Sequence, residues 1–211
     1  MSAASRVSNT PPRLRTSLAI SIFDQAWLSA ANLLLGVFLI KHSSKEEYGG
    51  YVFGYAVILF LVGVQNALVS TQMSVLAPSR GATEQGRFCA ALAIGQFLIF
   101  VPIAVAIALV GLMLQICGLH NGANLAYAVA LAVLGIILRE FFRSYFFLRL
   151  RPLAVLWLDV AFVTFLFAGL WAAVVMNIPS INLAALVVMG FVSALVGSLA
   201  AYLSRKELPV R

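Results

Sequence analysis

The sequence predicts an all-α integral membrane protein, a bundle of six transmembrane helices, and three observations carry that expectation. Of its 211 residues 63% are hydrophobic and only 10% are charged, far from the balance of a soluble domain. The apolar residues lie in runs of about 20 or more, each enough to cross a hydrocarbon core of roughly 30 Å as a helix. The Lys and Arg residues fall between those runs instead of along a water-facing stripe. Helices are expected over strands because a lone strand leaves its backbone groups unsatisfied in lipid.

Taken in order, residues 1–16 are Ser-rich, contain Pro11 and Pro12, and carry Arg6, Arg13 and Arg15 with no acid, the composition of a basic tail. A cleaved leader fits less well, since the apolar run that follows is too long and too polar in its middle. The six-helix domain occupies 17–203, with spans at about 17–40, 47–76, 88–114, 124–147, 153–176 and 181–203, followed by a polar end at 204–211. Spans one and two are joined by the turn KHSSKEEYGG, in which Ser44 and Glu47 have the spacing of a capping box and set where the second helix starts. Pro78 and Gly81 end span two, Pro152 separates spans four and five, and Asn177-Ile178-Pro179-Ser180 turns the chain into span six. Cys89 and Cys117 fall at opposite membrane faces, about 40 Å apart at helical rise, so no disulfide between them is expected.

The formal charge of +7 reads as topology, not as a nucleic-acid surface. Twelve of the 14 Lys and Arg residues lie in the tail, the 77–87 loop, the 139–151 region and the C-terminal end. The opposite face holds only Lys41 and Lys45. All loops are short, so the positive-inside rule applies and assigns both termini to the cytoplasm. Arg149 and Arg151 have the placement of flanking charges or of a site for anionic lipid headgroups. Span six carries Gly190, Ala194, Gly197 and Ala201 at helical spacing, a stripe that suits either an internal seam or a subunit interface.

Polar residues inside the spans mark the candidate pathway, because polar groups in a bilayer are costly. In span one Ser21, Gln25, Ser29, Asn32 and Gly36 recur at helical spacing, with Asp24 on the flank of the stripe. In span two Asn66, Ser70 and Ser74 share one side, and Gln65 and Gln72 lie seven apart on a neighbouring line. Two readings stand for these amides and hydroxyls: they bond helix to helix, at about 0.6 kcal/mol per contact, or they line one cavity between the two spans. Asp24 and Asp159 each lie about 10 Å in from the cytoplasmic surface. Arg139 and Arg143, with Glu140 between them, reach a similar depth from span four. Acids and arginines at one level will seek one another, since an unpaired charge there is far more costly. Such a layer can simply lock spans one, four and five, or it can act as a proton- or ion-sensitive switch.

Nothing points to an enzyme, a cofactor or a metal. The only histidines, His42 and His120, lie in short connections without a cluster of further ligands. No G-x-S-x-G, phosphate-binding Walker loop, G-x-G-x-x-G or H-E-x-x-H pattern occurs.

The run FDQAWLSAANLLLGVFLIKHSSKEEYGGYVFGYAVILFLVGVQNALVSTQMSVLAP, residues 23–78, resembles the first two helices of polysaccharide flippases of the multidrug/oligosaccharidyl-lipid/polysaccharide exporter superfamily. Asp24-Gln25, Asn32, the turn with Glu46-Glu47-Tyr48-Gly49, and Gln65 with the small polar patch after it carry the likeness. The stretch REFFRSYFFLRLRPLAVLWLDV, residues 139–160, is similar to that family's junction of the fourth and fifth helices. The resemblance implies one lobe of a two-lobed exporter that moves a lipid-linked sugar across a bacterial-type inner membrane by alternating access. It implies cavity arginines that meet a pyrophosphate and, by likeness to multidrug exporters, coupling acids at Asp24 and Asp159. This chain departs from the family in having six spans where twelve or more are usual.

The function expected on this basis is a half-size flippase-like subunit for polyprenyl-linked glycans, working as a homodimer or with a second six-helix half among membrane lipids. A non-transporting six-helix scaffold of a glycan-assembly complex is the alternative, and an intramembrane lipid enzyme ranks last. The residues expected on the substrate or ion pathway are Asp24, Gln25, Asn32, Gln65, Asn66, Gln72, Arg139, Arg143 and Asp159.

Overall fold

A computed structural model describes residues 12–205, and every regular element among them is helical. In chain order these are α1 (Pro12–His42), α2 (Lys45–Gln65), a π-helical turn (Asn66–Ser70), α3 (Thr71–Leu76), α4 (Ala82–Ile116), α5 (His120–Leu148), α6 (Pro152–Val175) and α7 (Ile181–Ser204). Because α2, the π turn and α3 run on without a break, they form six helices, all long and apolar enough to cross a membrane. The chain is a multi-pass membrane protein built as a six-helix bundle.

The helix ends follow local chemistry. At the start of α2 the Glu47 amide donates to Ser44 Oγ at 3.3 Å and the Ser44 amide donates to Glu47 Oε2 at 3.1 Å, the reciprocal capping box that the spacing predicts. Helices α4, α5 and α6 all end in a left-handed residue: Gly118, Leu150 and Asn177. In each case the amide after it reaches back into the last turn, as Arg151 does to the Phe146 carbonyl at 3.0 Å. The first helix begins at Pro12 instead of Ser17, so part of the expected tail is helical; proline suits the first helical position, where its missing N–H costs nothing. Residues 1–11 and 206–211, which include the rest of the tail and most of the C-terminal end, lie outside the described residues.

Helix α5 is the axis. It is the most buried of the six spans, packing most extensively on α7 and α4 and also meeting α2 and α6. Its contact with α7 is so close that a β-carbon on Gly135 would collide with the Gly190 carbonyl oxygen, and one on Gly197 would lie 2.8 Å from Leu138 Cγ. Lipid tails are as apolar as leucine, so helices in a bilayer associate through close packing more than through hydrophobic burial. The small residues of α7 supply that packing, and the stripe of Gly190 and Gly197 is an internal seam.

Helix α1 sits differently. It packs mainly on α6, buries Ala31, Leu35 and Leu39 in the bundle, and touches α2 only sparsely despite the two-residue turn between them. Gly36 and Tyr48 approach each other near that turn. Away from it the two helices leave a polar opening.

Candidate functional site

Five charged side chains from three helices meet on the inner side of α1. Arg143 of α5 is the hub: its Nη2 donates to Asp24 Oδ2 at 2.8 Å and its Nε to Asp159 Oδ2 at 2.8 Å. Its Nη1 lies 3.7 Å from Glu140 Oε2. Asp24 and Asp159 are almost wholly buried, and Arg143 is nearly so. One guanidinium thus ties α1 to α6 through α5, a bridge for which its planar, multi-donor fork is pre-organised.

Arg139, one helical turn earlier, faces a different environment. Its Nη2 donates to Glu140 Oε1 at 2.7 Å, and its guanidinium carbon stacks 3.8 Å from the centre of the Phe162 ring. Its side chain is 9% exposed, yet Nε and Nη1 have no hydrogen-bond partner among the described residues. The second carboxylate oxygens of Asp24 and Asp159 are likewise buried and unpartnered. Three acids face two arginines, so the cluster carries one formal negative charge in excess.

Beside the cluster lies a cavity of about 290 Å³. Gln25, Ser29 and Asn32 of α1 line one wall, and Tyr55, Val62 and Asn66 of α2 and the π turn line the other. Its floor is Arg139, Glu140 and Arg143 of α5, with Phe162 of α6 and Met189 of α7. The α1 residues turn toward the cavity because the helix buries a neighbouring face, Asp24, Ala31, Leu35 and Leu39, against the bundle. The buried Asp24 and Asp159 sit behind the guanidiniums and do not border the cavity. The wall itself therefore presents two positive groups and one negative.

Of the expected pathway residues, Gln25, Asn32, Asn66, Arg139 and Arg143 border this cavity, and Asp24 and Asp159 stand in the ion cluster behind it. Two are elsewhere. Gln65 is fully buried, its Nε2 donating to Gln96 Oε1 of α4 and to the Ile137 carbonyl of α5, both at 3.0 Å. It ties three helices together and lines nothing. Gln72, seven residues on, faces outward. The π turn explains the divergence: the Thr71 amide bonds the carbonyl of Asn66, five residues back, and the extra residue rotates everything after it by about 100°. The acids and arginines expected to seek one another at that level do meet, but unevenly: Arg143 takes both Asp24 and Asp159, and Arg139 takes neither. The shared level was legible in the sequence, but which of two arginines one turn apart on the same face would meet α1 and α6 was not. Glu140, Tyr55 and Phe162 also border the cavity and Gln96 supports Gln65, and none of the four is among the expected pathway residues. Glu140 lay in view between two arginines, whereas Gln96 is a lone amide in a long apolar run with no pattern to announce it.

No protein-family model, curated protein or solved structure matches this chain.

Proposed function

We propose that the protein is a half-size, flippase-like subunit that moves a phosphate-bearing lipid-linked glycan precursor across a bacterial-type inner membrane, with both termini in the cytoplasm. The observation that carries this reading is Arg139: a buried guanidinium with two unpartnered N–H positions at the floor of a polar cavity. Guanidinium donors suit phosphate oxygens, and a charge-assisted bond in a dry site is strong. The cavity lies between α1 and α2, two spans that barely touch, so a headgroup can enter sideways while its lipid tail stays in the bilayer. At about 290 Å³ it sits at the lower limit of small-molecule sites. It can take a phosphate and part of a sugar but not an oligosaccharide, which is the argument for a second copy or a second six-helix half to supply the facing wall. Uptake of a proton or cation by the Asp24 and Asp159 pair would loosen their hold on Arg143 and so on α1, coupling the cluster to movement.

The test is translocation of a fluorescent polyprenyl-pyrophosphate sugar in vesicles. Arg139→Gln, which keeps the size and some hydrogen bonding but removes the charge, is expected to lower the rate at least about tenfold, the worth of one charged hydrogen bond. Normal flipping by both Arg139→Gln and Asp24→Asn sinks the proposal. The near-complete pairing of Arg143 favours a second reading, a non-transporting scaffold locked by that layer. On that reading loss of function follows loss of a co-purifying partner, whatever the state of Arg139.

A further inference from the structure

A second cavity, about 340 Å³, opens at the opposite end of the bundle, where the first turns of α2, α5 and α7 come together. Leu125 on its wall and Arg139 in the first cavity are about 21 Å apart along α5 at helical rise. Its polar lining comes from Glu46, Glu47, Asn121, Ser180 and Asn182, with Tyr51 as an aromatic wall. Asn182 is the unusual member. It is 3% exposed, and neither its carbonyl oxygen nor its amide nitrogen has a hydrogen-bond partner among the described residues. A buried carboxamide left unpaired on both sides is costly, and a group that donates and accepts at once would relieve it.

The surroundings select the kind of group. Helices α5 and α7 start without a side-chain cap, so their first amides remain as donors. The Ser180 hydroxyl, which could have capped α7, instead donates to Glu47 Oε1 at 3.5 Å. An anion would suit the amides of the two uncapped helix starts, but Glu46 and Glu47 repel it. A cation would suit the carboxylates, but the positive ends of the same helices oppose it. A neutral molecule rich in hydroxyls meets both demands, since each hydroxyl can donate to a carboxylate and accept from an amide. The volume fits a single ring, and Tyr51 and Leu125 supply apolar wall beside it.

We infer that this pocket binds an uncharged sugar ring, at a site distinct from the charged cavity and independent of what that cavity does. Saturation-transfer NMR on the full chain in nanodiscs free of sugar detergents tests it, with methyl glucoside, methyl galactoside and methyl N-acetylglucosaminide as probes. At least one sugar should give a saturable signal. A β-carbon at Gly50 meets nothing closer than Leu125 Cδ2 at 3.8 Å, so Gly50→Leu adds apolar bulk to the pocket wall from a position with room for its β-carbon. Gly50→Leu and Asn182→Leu are each expected to weaken binding about fivefold or more, the scale of one lost hydrogen-bonded contact. Arg139→Gln should leave the signal intact, which separates failure here from failure of the transport reading. The inference is overturned if no probe saturates, if the signal survives Gly50→Leu, if it disappears in Arg139→Gln, or if sulfate or ethylamine competes for it.

Discussion

The α5–α7 pair and the α1–α2 pair make opposite use of the membrane. Helices α5 and α7 are separated by a whole intervening span, yet glycines let their backbones touch. Helices α1 and α2 are joined by two residues, yet they hardly meet. In water a polar face shared by neighbouring helices would simply be solvated. In lipid it must find protein, trapped water or a ligand, so the space that α1 and α2 leave between them is the place where a polar guest is tolerated. The rigid seam holds the arginines of α5 in place, and the sparse one leaves room beside them.

The largest change should come from cutting the charged link between the loose helix and the tight core. Arg143→Ala leaves Asp24 and Asp159 buried without a counter-charge and is expected to cost about 3–5 kcal/mol, read as a fall in thermal stability by size-exclusion chromatography after heating. Double replacement to Asp24→Asn and Asp159→Asn in that background should restore much of the loss, and failure to do so would show that the cluster is not what fastens α1. Next comes the seam itself. Gly135→Leu forces a side chain into the α7 backbone and should destabilise by about 3 kcal/mol, whereas the same change at Gly63 of α2, where a β-carbon meets nothing within 4 Å, should be nearly neutral. If the two behave alike in the same melting assay, the contrast between seam and opening fails.

Smaller effects sharpen the picture. Gln65→Leu removes the donor that joins α2 to Gln96 and the Ile137 carbonyl, and should cost about 1–3 kcal/mol while leaving any transport rate per folded molecule unchanged. A specific loss of rate would return Gln65 to the pathway. Leu150→Gly relieves a side chain held in the left-handed region at φ 53 and should stabilise by about 1 kcal/mol, seen as a small rise in melting temperature.

How far the site could be read from the chain depended on which physical rule governed each residue. Polar stripes such as Gln25, Ser29 and Asn32 follow from helical periodicity, and the level of Asp24, Arg143 and Asp159 in the membrane follows from helical rise. Their partners do not, because Arg139 and Arg143 share one face of α5 one turn apart, and how the neighbouring helices are seated along α5 decides which of them reaches α1. The π turn was equally hidden: its backbone bond from Thr71 to Asn66 has no periodic signature, and it separates Gln65 from Gln72. The small-residue stripe of α7 was visible, but not which surface it would meet.

What the sequence determined by itself was the class of the protein, the number and order of its spans, the capping box at Ser44 and Glu47, and the presence of charge within the bilayer. Each of these rests on local chemistry: hydropathy over a membrane-length window, or a hydrogen bond between residues three apart. Only the tertiary structure decided that α1 leans on α6 and away from α2, that Arg143 holds two acids while Arg139 keeps free donors, and that Asn182 stands unpaired in a pocket among three helix starts. Those outcomes depend on how close two backbones can approach, and that is set jointly by glycines and side chains far apart in the chain.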